Sequence, residues 1–203
     1  MGSGLPGPIS VIPNPIDTDL FSPARDRDPD RLVAVGRLEA DKRPDVLLRG
    51  FAIAHAKRPS LKLEIIGSGP DREAMVSLAR EIGVGEAVTF LGHIPRDQVA
   101  SRVSTAIAFV HAAQVETFGL AVAESLAAGV PVVAPDATAL PELIDASNGI
   151  LFPPADEEAL ADGALSIISR EYDSQAVAQS MRSRFSFSCI GTRLARAYSE
   201  ALE

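Results

Sequence analysis

Cysteine occurs once in the 203 residues, at Cys189, so the chain can form no internal disulfide and no structural zinc site of the multi-cysteine type. A reducing, cytoplasmic compartment fits that scarcity. Basic charge is also short: 19 Lys and Arg stand against 27 Asp and Glu, a formal net charge of -8 with a sequence pI near 4.9. That balance excludes nucleic acid as a partner held by bulk electrostatics. Long apolar runs are missing too. Pro, Gly or a charge interrupts every candidate before the ~20 residues of a membrane-spanning helix, so the chain reads as soluble, with no transmembrane segment. The opening MGSGLPGP has no basic region followed by an apolar one, as a signal peptide would. Pro6 stands where the myristoylation pattern wants Ser or Thr. Residues 1–8 read as an expression remnant or a disordered start. Internal repeats, heptad arrays and low-complexity segments are absent.

What is present is enough apolar residue for a substantial core. At 46% hydrophobic, a chain of this length buries about 70% of the surface its unfolded form exposes. Apolar runs alternate with helical patterns. RLVAVGRL (31–38) reads as a buried strand and RPDVLLRGFAIAHAKR (43–58) as a helix, with Asp41 near its cap and Pro44 in its first turn. LKLEIIG (61–67) reads as a strand, and DREAMVSLAREIG (71–83) as a helix ended by Gly83. Strand AVTFLG, a short helix after Pro95, strand AIAFVHA, a helix holding Glu124 and strand VPVVAP follow. The order is βαβαβαβαβ, and strands this apolar imply a Rossmann-like parallel sheet covered by helices on both faces. From residue 156 onward the pattern is helical only, which predicts two or three extra helices.

In such a sheet, ligands bind beyond the carboxyl ends of the strands, where helix N-termini direct free N–H groups. Three stretches fall there. In GRLEADKRPD, Gly36 ends a strand, and Arg37 and Lys42 could clamp a diphosphate or be solvated loop charges beside Glu39 and Asp41. In GSGP (67–70), the third glycine of the dinucleotide fingerprint is missing and Arg72 follows. Gly67 and Gly69 there suit a tight turn and close approach of a ligand's base or ribose. In VETFGLAVAESLAAGVPVVAP (115–135), the N–H groups around Phe118, Gly119 and Leu120 open a helix and can receive an anion. Glu124 lies on that helix with no Lys or Arg three or four residues away. It either reaches solvent or meets a ligand's hydroxyls. Glu116, before the helix, suits an anion near a helix N-terminus and could simply cap it.

The ordered set VIPNPIDTDLFSP, VAVGRLEADKRPDVLLRGFA, LEIIGSGPDREAM, VTFLGHIP, ETFGLAVAESLAAGVPVVAP and LPELI resembles the C-terminal, donor-binding half of a GT-B glycosyltransferase of family 4, the retaining nucleotide-sugar-dependent group. The likeness runs from about Val11 to Phe152. It implies that Glu116 and Glu124 are an E-x7-E pair, the first holding hydroxyls of the transferred sugar and the second the ribose hydroxyls. Arg37 and Lys42 would grip the diphosphate, and Gly119 and Leu120 would give backbone donors to phosphate and sugar. Gly36, Gly67, Gly69, His93, Ile94 and Phe118 complete the implied donor-binding set, with Glu116, Arg37 and Lys42 as its catalytic members. The donor substrate would be a nucleoside-diphosphate sugar, with no metal or other cofactor. A front-face reaction, in which the leaving phosphate helps deprotonate the acceptor, is expected ahead of double displacement through Glu116.

The resemblance also divides the chain: residues 9–30 derive from an interdomain linker, and residues 31–203 form the nucleotide-sugar-binding domain. An N-terminal acceptor-binding domain is then the missing partner. Localisation would be cytoplasmic, with attachment to the inner membrane face through that domain. Departures are HAAQV before Glu116, where Pro and Ser are usual, and ATALPEL in place of a Gly-Gly-x-Pro-Glu turn. Asp17-Thr18-Asp19 has the form of a D-x-D metal motif, but its Pro-flanked setting favours linker turn chemistry, with Asn14 and Pro15 setting direction. A binding or regulatory module without its own catalysis is the alternative reading. A nicotinamide-dependent enzyme stands further off, for want of a full glycine fingerprint.

Overall fold

Successive residues of a strand face opposite sides of a sheet, and the first strand shows the consequence. In β1 (Asp28–Val35), Leu32 and Ala34 enter one apolar core while Val33 enters another. Both faces must then be covered. In the computed structural model, which describes residues 9–202, they are; the reading of residues 1–8 lies outside that range. The chain continues through α1 (Pro44–Lys57), β2 (Lys62–Ile66), α2 (Arg72–Glu81), β3 (Val88–Gly92), α3 (Arg96–Ser104), β4 (Ala106–Val110), α4 (Leu120–Ala127) and β5 (Val132–Pro135). It ends with β6 (Gly149–Phe152), α5 (Glu157–Ile167), α6 (Ser174–Phe185) and α7 (Phe187–Leu202). The strands pair in parallel in the order β3-β2-β1-β4-β5-β6, the doubly wound Rossmann arrangement, whose topological switch lies between β1 and β4.

One core holds Phe51 of α1, Ala79 of α2 and Leu160 and Ala164 of α5 against the sheet. The opposite core holds Val103 of α3, Val122 and Leu126 of α4, and Met181 and Phe185 of α6. The C-terminal helices therefore cover both faces. Asp156 and Asp173 accept hydrogen bonds from the first-turn N–H groups of α5 and α6 and fix where those helices start.

Four features correct the expectation from sequence. A sixth strand, β6, extends the sheet beyond β5; its four residues follow only a short 3-10 turn (Leu140–Glu142) rather than a helix, so no change of period announces it. β1 begins at Asp28 rather than at residue 31, since Asp28 N–H donates to Thr105 O at 2.9 Å. It ends at Val35. Asp41 does not cap α1. It sits in a separate 3-10 turn, and Arg43, in the left-handed region at φ 48°, precedes Pro44.

From Ile16 onward the segment before β1 packs on the body of the domain. Ile16 N–H donates to Phe185 O at 2.7 Å, Phe21 is buried in the core of α4 and α6, and the Arg27 guanidinium reaches Gly129 O at 2.6 Å. The loops leaving β1, β2 and β3 are tied together: Gly36 N–H donates to Ile66 O, Leu38 N–H to Ser68 O and Gly67 N–H to Gly92 O. A Cβ on Gly67, whose φ is +132°, would overlap Gly36 O, and one on Gly69 would overlap Leu38 O. The chain's own backbone thus demands those two glycines.

Candidate functional site

At the switch point, α1 and α4 leave the ends of β1 and β4, and the loops before them face one another. Lys42, in the turn before α1, donates from Nζ to Glu116 Oε1 at 3.0 Å. His111, just past β4 and buried, brings Nε2 to 3.2 Å from the same oxygen, without the alignment of a hydrogen bond. Glu116 is itself 17% exposed. Burial alone would raise its pKa, but the His111 and Lys42 contacts outweigh burial and the net shift is downward. The carboxylate is therefore held as an anion. Lys42 has three N–H groups and gives one to Glu116, so the others can meet a further anion.

The loop carrying Glu116 is fixed from the far side. Glu116 N–H donates to Thr138 Oγ1 at 3.0 Å, and Thr138 holds the left-handed conformation at φ 49°. That conformation costs a non-glycine residue about 1–3 kcal/mol, and here it presents the hydroxyl to the loop. The departure ATALPEL thus keeps a turn that glycine would favour. Phe118 packs edge-on against Phe185, ring centroids 5.4 Å apart. Gly119, at φ 80°, starts α4, and no side chain caps the helix. Its first N–H groups have no acceptor within the helix and carry the positive end of its dipole. Leu120 is 41% exposed.

Glu124 does not reach solvent, and the cation it lacks on its own helix comes from another one. It is 6% exposed, and Arg96, at the start of α3, donates from Nη2 to its Oε1 at 2.5 Å. Ser125 is fully buried as well and turns its hydroxyl to Ala121 O. Burial raises the Glu124 pKa, Arg96 pulls it down in part, and Asp17 adds to the rise. Because the folded pKa is raised, the charged form costs stability above the ordinary carboxylate range, and this cost disappears in acid. Glu124→Gln is expected to raise the unfolding free energy of the ligand-free chain at neutral pH by up to about 1 kcal/mol, with the gain vanishing in acid. Thermal melts across pH check this; a gain that persists in acid contradicts it.

The other predicted residues stand around this cluster in differing surroundings. Arg37 is 72% exposed and pairs with Glu39 at 2.8 Å, in the manner of a solvated loop charge. It nevertheless lines a small cavity of about 30 Å³ with Gly36, Lys42 and His111. Gly36 has open space where a Cβ would be. Gly67 and Gly69 lie in the tied loops, His93 is exposed, and Ile94 is half-buried against the core of α3 and α4. A larger cleft, about 710 Å³, shares only Thr117 and Phe118 with this site and is otherwise lined by the N-terminal segment, the 3-10 turn after β5 and the last helices. It lies beside the converging charges rather than among them. Asp17 accepts from Leu20 N–H at 3.0 Å, and Asp19 pairs with Arg182 at 2.9 Å. Among the described residues no group of three or more His, Cys, Asp or Glu is placed to hold a metal.

His111, Thr138 and Arg96 were not singled out from sequence. His111 ends an apolar strand pattern and Thr138 stands in ATALPEL, both inside the departures from the family pattern, and Arg96 is 28 residues from its partner.

A family model for glycosyl transferases group 1 matches residues 15–184. The chain belongs to that family. Among relatives of this group 1 chain, a D-inositol 3-phosphate glycosyltransferase from Corynebacterium aurimucosum is 28% identical over 220 residues, covering 97% of this chain and 52% of the relative. A glycogen synthase from Mycobacterium tuberculosis is 30% identical over 205 residues, covering 97% and 49%. The chain spans about half the length of the curated relatives it matches. Sucrose-phosphate synthase from Thermosynechococcus elongatus superposes with a TM-score of 0.81 at 26% identity, over 94% of this chain and 52% of that one. Anabaena HepE, solved in complex with UDP, superposes at 0.83 and 20% identity over 94% and 57%, a likeness of fold. The group 1 domain has the α/β sheet of these GT-B glycosyltransferase neighbours, and no helix among the described residues is long and apolar enough to cross a membrane.

Proposed function

We propose that this chain is the C-terminal, nucleotide-sugar-binding half of a retaining family 4 hexosyltransferase, moving a hexose from a nucleoside-diphosphate sugar to an acceptor hydroxyl. The observation that carries the reading is the convergence of Lys42 and His111 on Glu116, in the loop that leads to the uncapped start of α4. A cation and aligned N–H dipoles there suit a diphosphate, while an ionised carboxylate beside them suits sugar hydroxyls. UDP in neighbours of the same fold is consistent with that ligand class.

In this reading Lys42 and the first N–H groups of α4 stabilise the charge that builds on the leaving diphosphate, Arg37 swings from Glu39 to join them, and Glu116 orients the transferred sugar. Gly36, Gly67, Gly69, His93, Ile94 and Phe118 border the donor, and Glu124 takes the ribose hydroxyls. The leaving phosphate helps remove the acceptor's proton on the face it departs from. Residues 9–30 derive from the linker to an acceptor-binding N-terminal domain, residues 31–203 form the donor domain, and the enzyme works in the cytoplasm, with attachment to the inner membrane face through that other domain.

Titration calorimetry with uridine, guanosine and adenosine diphosphates tests the reading. At least one is expected to bind with an affinity that a chelator leaves unchanged, because Lys42 and the helix dipole supply the positive charge. The chain alone is expected to transfer no sugar, since holding both reactants together supplies much of the rate. Failure of all three nucleotides to bind contradicts the reading. Loss on chelation that magnesium restores contradicts the metal-free site and reassigns Asp17-Thr18-Asp19.

A further inference from the structure

Glu124 raises a problem that its proposed role alone does not answer. Burial of a carboxylate on an apolar helix, 8% exposed in its side chain, raises its pKa, and a protonated carboxyl would have one acceptor fewer for a diol. Arg96 meets that problem from another element. Its guanidinium lies 5.3 Å from the centroid of the Phe21 ring, which supports it from below, and gives Nη2 to Glu124 Oε1. Glu124 Oε2 accepts no hydrogen bond among the described residues. The arginine is 55% exposed, so it stands at the rim with the carboxylate beneath it.

We propose that Arg96 is a positioning residue for Glu124: the guanidinium, seated on Phe21, holds one carboxylate oxygen in place and leaves the other to accept a ligand's vicinal hydroxyls. The inference rests on the assignment of Glu124 to the ribose. It concerns how that acceptor is kept competent, and it makes the hydroxyl preference of the site depend on a residue that need not touch the nucleotide. The charged groups that act on Glu124 are Arg96 from α3 and Asp17 from the N-terminal segment. From α6, Arg182 turns to Asp19 and Arg184 to Glu142 O, and β5 carries no charge. With Arg96 gone, burial and Asp17 act on the carboxylate unopposed. The acid limb of hydroxyl recognition must then move to higher pH.

The test takes whichever of uridine, guanosine and adenosine diphosphate binds and compares it with its 2′,3′-dideoxy form, by calorimetry between about pH 5.5 and 8.5, on the wild-type chain, Arg96→Gln and Arg96→Lys. The readout is the ratio of the two affinities, which cancels the titration of the phosphate common to both. Arg96→Gln is expected to lower that ratio about five- to tenfold near the acid end, on the scale of an ordinary hydrogen bond, and to recover part of it at the alkaline end. Arg96→Lys keeps most of the ratio, since it keeps the charge. Equal weakening of both nucleotides, or a loss that does not depend on pH, overturns the positioning role. A ratio in Arg96→Gln that matches wild type overturns it too, while the ribose assignment survives. A wild-type chain that binds both nucleotides equally overturns the ribose assignment itself, and this inference with it.

Discussion

Lys42→Ala is expected to weaken nucleoside diphosphate binding by about 1.5–3 kcal/mol, the range for hydrogen bonds to charged groups, while the affinity for the parent nucleoside stays unchanged. The ammonium is 26% exposed, so its charge is poorly screened, and it is already fixed by Glu116 at 3.0 Å, so little side-chain freedom remains to be lost on binding. Arg37→Ala should cost less, within about 1 kcal/mol, because Arg37 stands in solvent beside Glu39 and must be reoriented first. The same Lys42 substitution has a second consequence, in stability. The Glu116 pKa is depressed, so its contribution to stability is present above the unfolded carboxylate pKa and is lost as pH falls through the lower folded value. The destabilisation caused by Lys42→Ala should therefore be full at neutral pH and fade in acid. Calorimetric titration with the diphosphate and the nucleoside, and thermal melts across pH, check both parts. Equal losses for the two ligands contradict a diphosphate clamp.

The sheet was legible because its signal is local. Leu32, Val33 and Ala34 form a run apolar on both faces, which only a covered parallel strand requires, and Gly83 and Pro44 mark helix ends by their own backbone preferences. β6 escaped because four residues in an edge strand, after a connection without a helix, carry too little pattern to separate from a loop. The positions of Glu116, Lys42 and Gly119 at strand ends follow from the order of elements alone. Their convergence depends on β1 and β4 lying side by side, a fact of topology that spacing does not contain.

Glu124 shows the limit most clearly. Pairs on one helix can be found by counting three or four residues, and by that count Glu124 has no cation. Arg96 reaches it from α3, across the packed faces of two helices. Its own neighbours in sequence give no hint of that role. Thr138 is similar: a β-branched residue is a poor guess for a left-handed turn, and the use that offsets the strain, the hydrogen bond from Glu116 N–H, comes from 22 residues away. The glycines of GSGP were read as room for a ligand. Gly67 and Gly69 also admit Gly36 and Leu38 of the neighbouring loop, and only the fold shows that neighbour.

Glu124→Ala is expected to weaken binding of the nucleoside diphosphate by on the order of 3 kcal/mol, as two hydroxyls lose a charged acceptor. Such a loss could also follow from disturbing a helix whose buried face includes Ala123 and Ala127. The ligand separates the two explanations. If the carboxylate receives the ribose hydroxyls, then removing them from the nucleotide and removing Glu124 delete the same interaction, and the two changes must be strongly non-additive. A disturbed helix would penalise both nucleotides alike.

The double cycle over Glu124→Ala and the 2′,3′-dideoxy nucleotide, measured by calorimetry on one preparation of each chain, tests the central claim most directly: that a nucleoside diphosphate sits between Lys42 and Glu124 at the carboxyl ends of the strands. The expected result is that either change alone costs on the order of 3 kcal/mol, and that the second, made after the first, costs within about 0.5 kcal/mol. Losses that simply add would contradict it.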